Sequence, residues 1–250
     1  MKIAVAGGTG AVGSLVVEEA RARGHEAVAL ARSAGVDLTT GRGLDTALEG
    51  VAVVVDTSSV QTQSAKASTE FFTTATRMLH HAELQAGVGH HLALSIVGAD
   101  RAPHDYYAGK RAQELLVAEG PVPWTLLRAT QFHEFAPQML ARLGFGPLAL
   151  APTMRTQPIA AREVAEHLVT LAEQGPSGEV APLAGPREEN LARMMRAHDR
   201  AAGRRRAVLE IALPGPFGRA LRDGTILTGP DAVLGRQSFD EWLAERAPGR

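Results

Sequence analysis

The sequence predicts an α/β fold: a doubly wound parallel sheet with helices on both faces, followed by a smaller C-terminal lobe. Three observations carry this. Short continuous apolar runs of strand length alternate with amphipathic segments of helix length. A glycine cluster separates the first apolar run from the first helical segment. The 250 residues, 45% of them hydrophobic, are enough to bury one large core.

The elements follow in order. Residues 3–6 are apolar throughout, as a strand buried on both faces must be. From Ala11 the period changes, with Val12, Leu15, Val16 and Ala20 at helical spacing and Gly24 as a stop. Further strands are predicted over 27–31, 51–56, 92–96 and 124–128. A long helix is predicted over 64–86, and another over about 105–119, opened by Pro103 and closed by Gly120-Pro121. Past residue 145 the pattern weakens. Pro147, Pro152 and Pro158 interrupt it, with helices expected over 162–173 and near 239–243. The expected organisation is a core over 1–145 and a C-terminal substrate lobe over 146–250, interleaved as one structural unit. One irregularity stands out. Only residues 33–35 separate the second strand from Val36-Asp37-Leu38, where a parallel crossover needs about a dozen residues. The connecting helix must be absent or replaced by a loop.

The run Gly7-Gly8-Thr9-Gly10-Ala11-Val12-Gly13 reads as G-x-x-G-x-x-G from Gly7 or G-x-G-x-x-G from Gly8. Glycine permits the tight turn, lets backbone N–H groups approach a pyrophosphate, and lets the helix pack close to the strand. The helix N-terminus then offers unpaired N–H groups to the anion. A strand before and a helix after is the context such a site requires. Gly7, Thr9, Gly10, Ala11, Val12 and Gly13 are therefore expected to bind a dinucleotide, in a Rossmann-type fold. An NAD binder places an acid near the end of the second strand, to hold the ribose 2′-hydroxyl. Here the chain reads Val28-Ala29-Leu30-Ala31-Arg32-Ser33. Arg32 offers a guanidinium fork to a 2′-phosphate, with Ser33 a second donor, so NADP(H) is preferred and NAD(H) is the alternative. Leu38 is expected beside the adenine.

Tyr106 and Lys110 stand four residues apart on one face of a predicted helix. A phenol is a poor acid–base catalyst at neutral pH unless a nearby ammonium lowers its pKa. Lys110 could also hold the nicotinamide ribose. Ser95 closes the preceding strand at the carboxyl edge of the sheet, where it could bond a substrate carbonyl while Tyr106 donates the proton.

The glycine turn, Ser95, and Tyr106 with Lys110 resemble the short-chain dehydrogenase/reductase superfamily. Lys110 followed by Glu114, then Pro123-Trp124-Thr125-Leu126-Leu127-Arg128-Ala129, then a lobe ending in Trp242-Leu243, resemble its atypical or extended, NmrA-like branch. The resemblance covers nearly the whole chain. It implies that Thr57, Ser58 and Ser59, then Ser95, then Ala129, Thr130, Gln131 and Phe132 touch the cofactor, and that Ser95, Tyr106 and Lys110 are catalytic. Phe132 and His133 follow the strand ending at Arg128 and are expected, with Tyr106, on the substrate side; the other reading is a helix start whose polar groups face solvent. The chain departs from the pattern in two respects. Ser95 lies only eleven residues before Tyr106, and the helix after Arg32 is missing. In the NmrA-like branch the tyrosine is often absent, and some members are nucleotide-sensing regulators.

With 26 basic and 27 acidic side chains, the formal charge of −1 speaks against nucleic acid or an anionic membrane as partner. Arg204-Arg205-Arg206 reads as a solvated loop. There is no cysteine, which excludes disulfides and thiolate chemistry. No apolar stretch approaches the ~20 residues of a membrane span, so a cytoplasmic location is expected. The pairs His80-His81 and His90-His91 cannot each direct both rings to one point, and no metal is expected. Arg128 is read as pairing within the protein. The expected function is NADP(H)-dependent reduction of a carbonyl, quinone or enone of a small molecule, by a monomer or homodimer. The alternatives are a redox-sensing regulator, and a non-redox isomerase or epimerase that retains its nucleotide.

Overall fold

The computed structural model describes residues 1–246. The first half of the chain runs β1 (Lys2–Ala6), α1 (Gly13–Ala22), β2 (Glu26–Leu30), α2 (Leu44–Ala47), β3 (Val53–Asp56), α3 (Ala65–Ala86), β4 (His90–Ile96), α4 (Tyr106–Ala118) and β5 (Trp124–Ala129). It continues through α5 (Phe135–Leu143), β6 (Gly144–Phe145), β7 (Leu148–Pro152), β8 (Arg155–Thr156), α6 (Ala161–Gln174), β9 (Gly178–Glu179) and β10 (Leu183–Ala184). Last come β11 (Glu189–Asn190), α7 (Leu191–Ala201), β12 (Ala207–Ile211), α8 (Gly215–Asp223), β13 (Val233–Leu234) and α9 (Phe239–Arg246). The described residues form two compact units, residues 1–128 with 162–181, and residues 129–161 with 182–246. The first division falls at residue 128, earlier than the 145 expected, and α6 and β9 return to the first unit.

In the first unit the strand order is β5-β4-β3-β1-β2, with β9 beside β5. β1 pairs in parallel with both β2 and β3, and β3 in parallel with β4. Being central explains the apolar run: Ile3, Ala4, Val5 and Ala6 are wholly buried. Ser64 caps α3 by accepting the Ala67 N–H at 3.3 Å, and Gly87 ends it at φ +70. α6 is held to α1 by Arg23, which reaches Thr170 and Glu173, each at 3.0 Å.

Val36-Asp37-Leu38 forms no strand, which leaves β2 at the sheet edge. A single 3-10 turn, Arg32–Ala34, ends at Gly35, whose φ of +80 favours glycine. Val36 and Leu38 then fold against a cluster that includes Leu30, Leu44, Leu48, Val51 and Leu79. Because Val36-Asp37-Leu38 is not a strand, residues 31–52 connect β2 to β3, and they cover this part of the core with loop side chains and the short α2.

In the second unit β7 pairs with β12 in parallel and with β6 antiparallel, while β8 and β11 pair antiparallel. Ala129, the last residue of β5, pairs with Leu183 of β10, and β10 with β13, both in parallel. The basic run is partly an anchor rather than a solvated loop. Arg204 and Arg206 reach the buried Asp199 carboxylate at 3.2 and 2.6 Å. α9 buries Phe239 and Trp242, with ring centroids 5.6 Å apart. Among the described residues no helix is long and apolar enough to cross a membrane.

Candidate functional site

The glycine turn closes on itself through Gly8 N–H to Val5 O at 3.0 Å and Gly10 N–H to Gly7 O at 2.8 Å. Three of its glycines are fixed by close approach. A Cβ on Gly8 would lie 2.7 Å from that of Ala29, and one on Gly13 2.2 Å from Gly7 O. Gly7 has φ +71, and its Cβ would lie 3.0 Å from Ser58 Cα. Gly10 differs: a Cβ there meets only Gly7 O, at 3.1 Å, and otherwise points into open space. Among the described residues no acceptor pairs with the N–H of Ala11, Val12 or Gly13, and no acid stands in the first turn of α1. Thr9, Gly10 and Ala11, at the start of this row of free donors, are exposed. The arrangement fits a pyrophosphate: unpaired N–H groups, the positive end of a helix, and no side chain over Gly10.

At the end of β2, the Arg32 side chain makes no hydrogen bond or ion pair among the described residues, and the Ser33 side chain is exposed. Asp37 is turned onto Thr39, accepting its N–H at 2.9 Å and its hydroxyl at 2.7 Å. Leu38 is partly buried, packed against the core cluster that includes Leu30 and Leu44.

Tyr106 is set by the contact of α3 with α4. A Cβ on Gly109 would lie 2.2 Å from Ser68 Oγ, so glycine alone lets α4 sit this close. Ser68 then donates to Tyr106 O at 2.9 Å. Asp105, just ahead, has φ +51 and ψ −124, a conformation L residues rarely adopt. The Tyr106 hydroxyl lies 3.0 Å from Ser59 Oγ on the loop after β3. Burial raises the phenol above its ordinary pKa, and the Ser59 hydroxyl acts against that rise. Sequence reasoning expected a lowered value from Lys110.

Lys110 points elsewhere. Its ammonium donates to Leu94 O at 2.6 Å and to Gln113 Oε1, and lies 4.5 Å from the centroid of the Phe72 ring. Gln113 passes the connection on, donating to Asp56 Oδ2 at 2.7 Å, while Asp56 Oδ1 accepts the Ser58 N–H at 2.9 Å. Burial pushes Lys110 down to about 8, against the pull of the Asp56 and Glu114 carboxylates. Ser95 is engaged as well, donating to Glu114 Oε1 at 2.6 Å. Glu114 also takes Arg128 Nε at 2.8 Å and Arg111 at 3.1 Å. Neither Asp56 nor Gln113 was singled out from the sequence. The available signal was a carboxylate closing an otherwise apolar strand, which must find buried partners.

The remaining candidates lie in the second unit. Thr130 donates to Gln157 O at 2.5 Å, Gln131 accepts from Thr156 at 2.6 Å, and Phe132 bridges to Ile159. His133, expected on the substrate side, is wholly buried. Its ring lies 5.7 Å from both Phe239 and Trp242, with Nε2 3.1 Å from Gln237 O. In the first unit His80 and His91 meet from different elements, rings 4.9 Å apart. With Glu83 they bring ligand atoms within 4.8 Å of one another, and His91 Nδ1 lies 2.7 Å from Glu83 Oε1.

The architecture is that of the Rossmann-type α/β fold. The chain is similar to the triphenylmethane reductase of Citrobacter sp. complexed with NADP(H), at 16% identity, over 99% of this chain and 100% of that one, TM-score 0.72. It is similar to MoeE5 in complex with UDP-glucuronic acid and NAD, at 17% identity over 98% and 97%, TM-score 0.71. It is also similar to the UDP-glucose 4-epimerase of Thermus thermophilus complexed with NAD, at 20% identity over 99% and 94%, TM-score 0.66. No protein-family profile matches the chain, and no curated protein matches it in sequence.

Proposed function

We propose that this chain binds a nicotinamide dinucleotide, NADP(H) in preference to NAD(H), and reduces a carbonyl, quinone or enone of a small molecule. The observation that carries the reading is the row of free N–H groups at Ala11, Val12 and Gly13 above the open side of Gly10. Arg32, whose side chain makes no hydrogen bond among the described residues and which acts on Asp37 only as a nearby charge, supports the preference for a 2′-phosphate, as does the likeness to a reductase complexed with NADP(H).

When bound, the reduced cofactor supplies a hydride equivalent. The protein must then supply orientation and a proton. Tyr106 is the proton donor in this reading. The phenol holds its proton at neutral pH and so has one to donate, while burial, by raising its pKa, makes it a weaker acid than a nearby ammonium would. Ser95 and Lys110 act here from behind. Ser95 braces Glu114, and Lys110 braces Asp56 through Gln113.

The test is loss of reduced-nicotinamide absorbance with NADPH against a panel of quinones, aldehydes, enones and cyclic ketones. Turnover that Tyr106→Phe abolishes, with NADPH binding intact, is the expected result. Tight binding with no turnover across the panel would replace this reading with the sensor.

A further inference from the structure

We propose that the Ser59 hydroxyl, rather than the Lys110 ammonium, holds the Tyr106 hydroxyl in its working orientation and returns a proton to it. This rests on the reading of Tyr106 as proton donor and deepens it.

The geometry separates two networks that the four-residue spacing of Tyr106 and Lys110 would merge. Ser59 Oγ stands 3.0 Å from Tyr106 Oη and, among the described residues, is the only polar group bonded to it. Ser59 is exposed, so its hydroxyl can exchange a proton with water. Lys110 is buried, with its ammonium committed to Leu94 O, Gln113 and the face of Phe72. Phe72 in turn meets the Tyr106 ring edge to face, centroids 5.6 Å apart, so an aromatic ring contacts both groups. The route from Lys110 toward Tyr106 runs through Gln113 and Asp56 to the backbone N–H of Ser58, one residue before Ser59. Lys110 is thus a positioning residue for the loop, and Ser59 is the group that touches the phenol.

The proton balance is simple. With a bound cofactor supplying a hydride equivalent to the substrate carbon, the Tyr106 O–H bond would break and its proton would go to the substrate oxygen. The Ser59 O–H proton passes to the Tyr106 oxygen while water gives one to Ser59 Oγ in the same shift. The net step consumes one hydride equivalent and one solvent proton.

The test needs neither substrate nor cofactor, so its failure is distinct from failure of the functional reading. The chain has two tyrosines, and Tyr107→Phe leaves Tyr106 alone. With 3,5-difluorotyrosine at that position, its ionisation can be followed by fluorine NMR against pH. Ser59→Ala is expected to raise the ionisation pH by about half a unit or more, through loss of the bond to the phenolate. Ser59→Thr is expected to restore it. Both substitutions are at an exposed residue and should leave the fold intact. Lys110→Met should leave the ionisation pH in place. No shift with Ser59→Ala, or a larger shift with Lys110→Met, overturns the assignment. Once a substrate is found, Ser59→Ala should lower kcat with little change in KM, and Ser59→Thr should restore it. A rise in KM with kcat unchanged also overturns it.

Discussion

Arg128 and Glu114 meet in two hydrogen bonds, Nε to Oε1 at 2.8 Å and a terminal nitrogen to Oε2 at 2.9 Å, which tie the end of β5 to α4. Burial pushes the Glu114 carboxyl up, but the bonds from Arg128, Ser95 and Arg111 outweigh it and leave the group below its ordinary value. Arg128→Met would strand a buried carboxylate with fewer partners, and should cost about 3 kcal/mol in urea unfolding. A loss under about 1 kcal/mol would show the pair behaving like an exposed one. Because the folded pKa is depressed, its contribution is present above about pH 4.3 and lost as pH falls through the folded value.

Gly10 and Gly13 should separate ligand binding from folding. Gly13→Ala would place a Cβ 2.2 Å from Gly7 O and 2.7 Å from Thr57 Oγ1, so the turn must open and stability must fall. Gly10→Ala meets one atom at 3.1 Å and should fold nearly normally. Its methyl group would stand where the pyrophosphate must approach, weakening NADPH binding by about tenfold or more, or ~1.4 kcal/mol. Thermal melts beside NADPH titrations distinguish the two. Equal nucleotide affinity in Gly10→Ala and the parent would place the phosphates elsewhere.

Asp105 carries backbone strain next to Tyr106. With φ at +51 and ψ at −124, glycine is the residue that relieves it. Asp105→Gly should stabilise by about 1 kcal/mol, a rise of ~2–4 °C in Tm for a chain this long. Asp105→Ala keeps the Cβ and should not stabilise. A gain with alanine equal to that with glycine would mean that strain is not the cause.

Three buried histidines set opposing pH dependences. Burial lowers His80 and His90 to about 4, with the His91 ring adding to the effect. Their folded pKa lies below the ordinary value, so their contribution is present above about pH 6.5 and lost as pH falls toward 4. His91 moves the other way: burial lowers it, but Glu83 at 2.7 Å raises it further, for a net rise. Its contribution is present below about pH 6.5 and lost as pH climbs through the folded value. Glu83→Gln should therefore destabilise the protein and flatten the neutral-to-alkaline limb of stability against pH. An unchanged limb in that variant would remove His91 as its source.

The features legible in the sequence were the local ones. Strands buried on both faces appear as unbroken apolar runs, and the turn from Gly7 to Gly13 demands its glycines within seven residues. What stayed hidden depends on how α3 lies against α4 and β4. A spacing of four puts Tyr106 and Lys110 on one face of α4, but Phe72 and Gln113 decide where the ammonium goes. His80 and His91 lie eleven residues apart on a helix and a strand, so no spacing rule brings their rings together. His133 follows a strand end, where sites are common, yet α9 covers it with Phe239 and Trp242.

Calorimetric titration of the protein with NADPH and with NADH, repeated on Arg32→Ala, tests most directly whether the glycine turn holds a nicotinamide dinucleotide and whether Arg32 selects the phosphorylated form. The expected result is one nucleotide per chain, NADPH tighter than NADH by about tenfold or more, and most of that difference gone in Arg32→Ala. Equal or tighter binding of NADH would contradict the selection, and binding of neither nucleotide would contradict the site itself.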